Sequence, residues 1–256
     1  MSRHDHDRDR DHEAGQESPE LEALLRASTP PTDGEADAEL GALWGELRQR
    51  VDAHDASLRG RARDLPTPAR FGLVAGLAVL LVAAVGLLAP RPDLSAYPLG
   101  RMLLVVLGLG GLLLVSVRMS LRPLHRPAPR PATVLSVLGL SIATAAGFSL
   151  LPAAHVLLPH TAPSPELSLW QHVRPCLVFG FALGLPLFAA LRVFDRGTPM
   201  GAWPAAAALG LVGNLALQLH CPITQTSHLL LGHAPLGLLA AVLVWLWTRA
   251  RPRARA

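Results

Sequence analysis

Six long apolar runs constrain this chain more than any other feature: Phe71–Ala89, Leu99–Val117, Ala132–Leu151, Pro175–Leu191, Gly201–Leu219 and Leu229–Trp247. At about 1.5 Å of rise per residue, a helix of about 19 residues spans about 28 Å, the thickness of a bilayer's hydrocarbon core. In lipid every backbone polar group must be paired within the protein, so separate segments this short cross only as helices. One such run would suit a buried core helix, but six leave no polar face for a soluble fold. The expected architecture is all-α: a six-helix integral membrane bundle over residues 65–256, with a basic C-terminal tail and a short N-terminal extension outside the membrane.

Orientation rests on arginine alone, because the chain has no lysine. Arg59, Arg61, Arg63 and Arg70 precede the first run, Arg118, Arg122, Arg126 and Arg130 follow the second, Arg192 and Arg196 follow the fourth, and Arg249, Arg251, Arg253 and Arg255 end the chain. The alternate connections carry only Arg91, Arg101 and Arg174. The positive-inside rule then places both termini in the cytoplasm. The first 64 residues hold no apolar stretch after a basic start, so the first membrane helix is expected to serve as the insertion signal.

Charge divides the chain. Residues 1–64 carry 16 of the 19 acidic residues, whereas residues 65–256 carry 14 arginines and three acids. The basic half suits anionic lipid headgroups. It does not suit direct nucleic-acid binding, since its arginines are spread over four loops with no aromatic residues between them. Residues 1–16 form a mixed-charge, low-complexity tail (HDHDRDRDHE at its centre) whose expected state is disorder; weak metal binding is the lesser alternative. Residues 17–64 read as cytoplasmic amphipathic helices. Ser18-Pro19-Glu20 is an N-cap followed by a proline at the first helical position, and predicts a short helix Pro19–Ala27 with Leu21, Leu24 and Leu25 on one face. A second helix is expected over Glu35–Leu58, where Leu40, Leu43, Trp44, Leu47 and Val51 fall on a single stripe. Two short helices cannot build a core of their own, so the stripe must bury against something else. It either packs on the membrane or on a second copy of the chain, giving a homodimer, or it docks in a groove of a cytosolic partner.

The membrane runs hold no Asp, Glu, Lys or Arg at mid-depth; Arg101 lies near a helix end and can snorkel outward. Transporters and pumps generally need ionisable groups or broken helices there. Pro186 and Pro235 can kink their helices, but neither has a charge beside it. No catalytic constellation emerges, and the chain is not read as an enzyme. Gly72/Gly76 and Gly180/Gly184 are GxxxG pairs and Gly108, Gly110 and Gly111 cluster, a pattern that implies close helix contacts. In the fifth run Gly210, Asn214, Gln218 and Cys221 share one face, which is expected to turn inward.

Reactive groups gather at the outer rim. His155, His160 and His172 lie in or beside the second outer loop, Cys176 opens the fourth run, His220 and Cys221 close the fifth, and His228 and His233 open the sixth. Both cysteines are therefore expected at one non-cytoplasmic face, an oxidising environment in a Gram-negative cell. They could be inert packing groups, a disulfide or redox-active pair, or part of a metal site in which Cys221 with His220, His228 and His233 would suit zinc or copper. Against the metal reading, His228 and His233 diverge by about 140° on an ideal helix, and no CxxC or HxxxH spacing is present.

Three short elements resemble the NrsF-type negative regulators of sigma factors. They are Ala89-Pro90-Arg91-Pro92-Asp93-Leu94 after the first run, similar to that family's RPDL outer turn, Leu121-Arg122-Pro123 after the second, and Leu219-His220-Cys221-Pro222 after the fifth. The resemblance covers about residues 65–247, and the N-terminal extension is longer and more acidic than the family's. It implies a six-helix inner-membrane anti-sigma factor that holds an extracytoplasmic-function (ECF) sigma factor until an oxidative, metal or light-derived stress signal reaches the outer face. Carried over to this chain, it points to Cys176 and Cys221 as the sensing groups, with Cys221 the closer match. The competing readings are a small membrane carrier or metal/redox protein using the His/Cys-rich rim, and a non-catalytic membrane scaffold.

Overall fold

The computed structural model describes residues 34–123, 126–151, 168–196 and 200–250. The tail at 1–16, the expected helix Pro19–Ala27, His155, His160, Arg251, Arg253 and Arg255 lie outside them. The chain divides into two compact units, residues 1–54 and 55–256.

The first unit is described through helix α1, Gly34–Ala56. All five stripe residues are exposed, from Val51 at 48% to Leu43 and Trp44 at 62%, with no cover among the described residues of this unit. The helix stops two residues short of the expected Leu58 because Ser57 begins another. Ser57 is extended and its hydroxyl accepts the Gly60 N–H at 2.9 Å, which caps α2, Leu58–Asp64.

In the second unit follow α3 (Thr67–Leu88), a 3-10 turn (Leu94–Ala96), α4 (Leu99–Ser120), α5 (Pro131–Leu150), α6 (Leu169–Phe194), α7 (Ala202–His220), α8 (Thr226–Gly232) and α9 (Leu236–Ala250). Every described element is helical. Six segments are long and apolar enough to cross a membrane: α3, α4, α5, α6, α7, and α8 with α9 taken together. Two differ from their apolar runs by well over a helical turn or by a break. Helix α6 begins six residues before Pro175, because Ser168 and Gln171 form a capping box that starts the helix in polar sequence. The sixth span is broken rather than kinked: α8 ends at Gly232, three residues turn, and α9 resumes at Leu236. Pro235 has no N–H to continue the ladder, and Leu239 N donates back to its carbonyl at 2.8 Å.

Helix α7 lies at the centre and packs against α3, α4, α5, α6 and α9. Its sequence, AWPAAAALGLVGNLALQLH, is mostly alanine, glycine and leucine, so neighbours approach its backbone closely. A Cβ at Gly184 would strike the Leu209 carbonyl at 2.6 Å. One at Gly213 would strike the Gly180 carbonyl, and one at Gly210 the backbone of Gly237. The Gly180/Gly184 pair is thus a real contact between helices. Gly72 and Gly76 in α3 face open space, with nothing within 4 Å. Leucines such as Leu73, Leu80, Leu107 and Leu246 form the exposed outer surface of the bundle, the side that lipid would solvate.

The expected inward face of α7 is buried: Asn214 at 2%, Cys221 at 5% and Gln218 at 6% exposure. Asn214 donates through Nδ2 to the carbonyl of His233 at 3.2 Å, tying α7 to the break in the sixth span.

The C-terminal end of α6 is held by arginines. Arg70, fully buried, donates to the Phe194 carbonyl and to the Thr67 hydroxyl, both at 2.9 Å. Arg196 donates to the carbonyls of Arg63 at 2.5 Å and Leu65 at 3.3 Å. Arg192 pairs with buried Asp195 at 2.5 Å. The last carbonyls of a helix lack intrahelical partners, and cations there also oppose its dipole. Arginines counted above for orientation therefore also fasten α2 and α3 to α6.

Candidate functional site at the cysteine end

The opposite end of the bundle is organised by the turn after α3. Arg91 and Asp93 form a fork-to-fork ion pair, Nε to Oδ1 at 2.6 Å and Nη2 to Oδ2 at 2.7 Å. Their side chains are 2% and 0% exposed. The same guanidinium donates through Nη1 to the Gln218 carbonyl at 3.2 Å and lies 4.3 Å over the ring of Tyr97. The Arg91 backbone N–H donates to the Leu219 carbonyl at 2.9 Å. One residue thus satisfies two otherwise orphaned carbonyls at the C-terminus of α7. A buried pair this tightly bonded is costly to break from one side. The turn therefore fixes the height and direction of Cys221, the C-cap of α7.

Four groups from three segments converge beside that cap. The sulfurs of Cys176 (α6) and Cys221 lie 3.7 Å apart. The Nε2 atom of His228 (α8) lies 3.5 Å from the Cys176 sulfur and 3.3 Å from the Cys221 sulfur. His233, in the break before α9, completes the group: one donor atom from each of the four residues falls within 4.8 Å of all the others. The two imidazoles meet edge to face, with centroids 5.4 Å apart. His228, His233 and Cys221 are buried and Cys176 is half-buried, the only member with appreciable access to the outside of the fold. The His228 Nδ1 and both His233 ring nitrogens lack a hydrogen-bond partner. That is an unusual deficit for groups 0% and 1% exposed. Both thiols are free. The arrangement could hold a metal ion.

The predicted site residues separate into three places. Cys176, Cys221, His228 and His233 come together. His220 does not join them: its Nδ1 contacts the Ala89 carbonyl at 2.8 Å and its ring lies 4.9 Å from that of Phe179, so it braces the end of α3. The divergence expected of His228 and His233 does not arise, because α8 ends between them and the chain turns. The stripe on α1 belongs to the other unit. Sequence reasoning used Arg91 for orientation and Arg91 and Asp93 as part of the RPDL resemblance, and did not pair them or place them at a site. The available signal was an adjacent pair of opposite charges in a stretch otherwise almost free of charge.

Among known proteins, the model of the family NrsF, "negative regulator of sigma F", matches residues 56–253. No curated protein and no solved structure matches. The matched span contains the whole sulfur–imidazole cluster, the Arg91–Asp93 turn and the arginine clasp. It begins after the apolar stripe of α1.

Proposed function

The chain belongs to the NrsF family, the negative regulators of sigma F, and from that premise we propose that it is an inner-membrane anti-sigma factor with both termini in the cytoplasm. Its partner is a sigma factor, here of the ECF class, which it keeps from polymerase. The regulator acts by binding rather than by catalysis. Anionic lipid faces its arginine end.

The observation that carries this reading is the uncovered stripe of α1. Leu40, Leu43, Trp44, Leu47 and Val51 present one apolar face on a helix otherwise rich in charge, and all five are about half exposed. Such a face is suited to lie in a groove of a folded partner, with a tryptophan of the kind that dominates interface energetics. Trp44→Ala and Leu47→Asp, measured as binding to the purified sigma factor and as sigma-dependent transcription, should each weaken binding at least 30-fold, about 2 kcal/mol, and relieve repression. Parental binding by both variants would move docking to the arginine-bearing loops. A changed oligomeric state with unchanged sigma binding would give the stripe to a homodimer instead.

The input acts on Cys176 and Cys221 at the outer face, where an oxidant or a soft ion of the zinc or copper kind would reach them through half-buried Cys176. A peroxide would take two electrons from the two thiols: one S–S bond forms, and the thiol protons leave with the peroxide oxygens as two waters. The sulfurs would close from 3.7 Å to about 2.05 Å. Helix α6 joins this event to the opposite end, since Cys176 and Arg192 are 16 residues apart on it, about 24 Å. Moving a partner from mostly bound to mostly free requires about 5.5 kcal/mol of differential free energy, on the scale of a covalent or coordination change rather than one surface contact.

A further inference from the structure

We propose that Cys176, Cys221, His228 and His233 form a tetrahedral S2N2 site for a divalent d10 cation of the zinc class, held by both thiolates and both neutral imidazoles. This deepens the outer-face reading by naming the ligand of that site, and it rests on that reading only for the effect on the sigma factor.

Geometry is the first argument. A tetrahedral ion with sulfur at about 2.3 Å and nitrogen at about 2.0–2.1 Å sets a sulfur–sulfur edge of about 3.8 Å and a sulfur–nitrogen edge of about 3.5 Å. The corresponding distances are 3.7 Å between the sulfurs, and 3.5 and 3.3 Å from them to His228 Nε2. Three of the four donor atoms already stand at the corners of such a tetrahedron. The fourth comes from His233, within 4.8 Å of the rest.

The second argument is the unmet bonding. Neither ring nitrogen of His233 has a hydrogen-bond partner, in a residue 1% exposed. Coordination of one nitrogen removes half of that deficit. Charge then selects the ion. Two thiolates and two neutral imidazoles around a divalent cation sum to zero, which suits a buried site. Monovalent copper would leave a net negative charge there, which burial penalises. Cupric ion prefers a tetragonal arrangement, and magnesium and calcium require oxygen ligands.

The position of each ligand is fixed by the fold rather than by a local motif. Cys221 caps a helix clamped by Arg91, His228 lies on a helix of about two turns, and His233 is held at the break by the Asn214 bond to its carbonyl. The cluster thus closes α6, α7 and the sixth span on one another at a single point.

The test is metal content of the full chain, purified in detergent after expression with added zinc, together with the visible spectrum after exchange with cobalt(II). About one zinc per chain is expected, with ligand-field bands of a tetrahedral cobalt thiolate site. Cys221→Ser, His228→Gln and His233→Gln should each lower zinc retention against a competing chelator at least 10-fold, while His220→Gln retains the parental value. Circular dichroism and gel filtration identify any variant that has failed to fold, and the cobalt spectrum of the parent decides the matter without them. Less than a tenth of a zinc per chain in folded parent, an octahedral cobalt spectrum, or parental retention by His233→Gln would overturn the proposal. Metal stoichiometry needs no sigma factor, so failure here is distinct from failure of the docking reading.

Discussion

At its N-terminal end α6 brings the Cys176 sulfur to within 3.7 Å of another sulfur and 3.5 Å of an imidazole. At its C-terminal end the same helix offers carbonyls and Asp195 to Arg63, Arg70 and Arg192. The two ends are fastened by different chemistry. Guanidinium groups keep their charge at any physiological pH and have no second covalent state. Thiols and imidazoles can be oxidised, metallated or left free. One end is therefore a fixed clasp and the other a fastening with more than one chemical state. The Arg91–Asp93 pair complicates the contrast, for it puts one fixed clasp beside the changeable cluster.

The largest effect should come from that clasp. Arg91→Met leaves Asp93 buried without its counter-charge and should cost about 3–5 kcal/mol, read as a lower Tm of the detergent-solubilised protein. Arg91→Met with Asp93→Leu should recover most of the loss. An unchanged Tm in the single variant would show that the cysteine end owes its geometry to something other than this turn. Next in size, Gly213→Ala drives a methyl into the Gly180 carbonyl midway along the α6–α7 contact and should cost about 1–3 kcal/mol. The same change at Gly76, in open space, should be neutral or stabilising by up to about 1 kcal/mol through helix propensity. Equal effects at the two glycines would mean that α6 and α7 do not pack as described. The smallest effect is expected at the arginine end. Arg192 is 26% exposed but its partner Asp195 only 4%, so Arg192→Met should cost about 1–2 kcal/mol. It should leave metal content unchanged. Altered zinc retention in Arg192→Met would break the separation between the two ends.

Much of this was legible beforehand, for physical reasons that differ from feature to feature. Apolar length and the need for internal backbone pairing give six spans, because each criterion applies to a segment by itself. The inward face of α7 was readable from the spacing of Gly210, Asn214, Gln218 and Cys221. Short resembling elements such as Arg91-Pro92-Asp93-Leu94 pointed to the family that the match over residues 56–253 shows. GxxxG spacing was less informative. It occurs in both α3 and α6, yet only the α6 pair meets another backbone, because in lipid a small residue permits close approach without compelling it.

What the sequence determined by itself, then, is what depends on one segment at a time: helix lengths, the uncovered stripe of α1, and the presence of two cysteines among histidines near one end of the spans. Only the tertiary structure decided which of those side chains meet. The four cluster residues are spread over 58 positions, from Cys176 to His233, and their convergence depends on the early start of α6 at Ser168, on the clamp Arg91 places on α7, and on the break before Pro235 that turns His233 toward His228. Extrapolating an ideal helix through that break separates the two imidazoles by about 140°. A proline with no N–H to give ends the helix and brings them together.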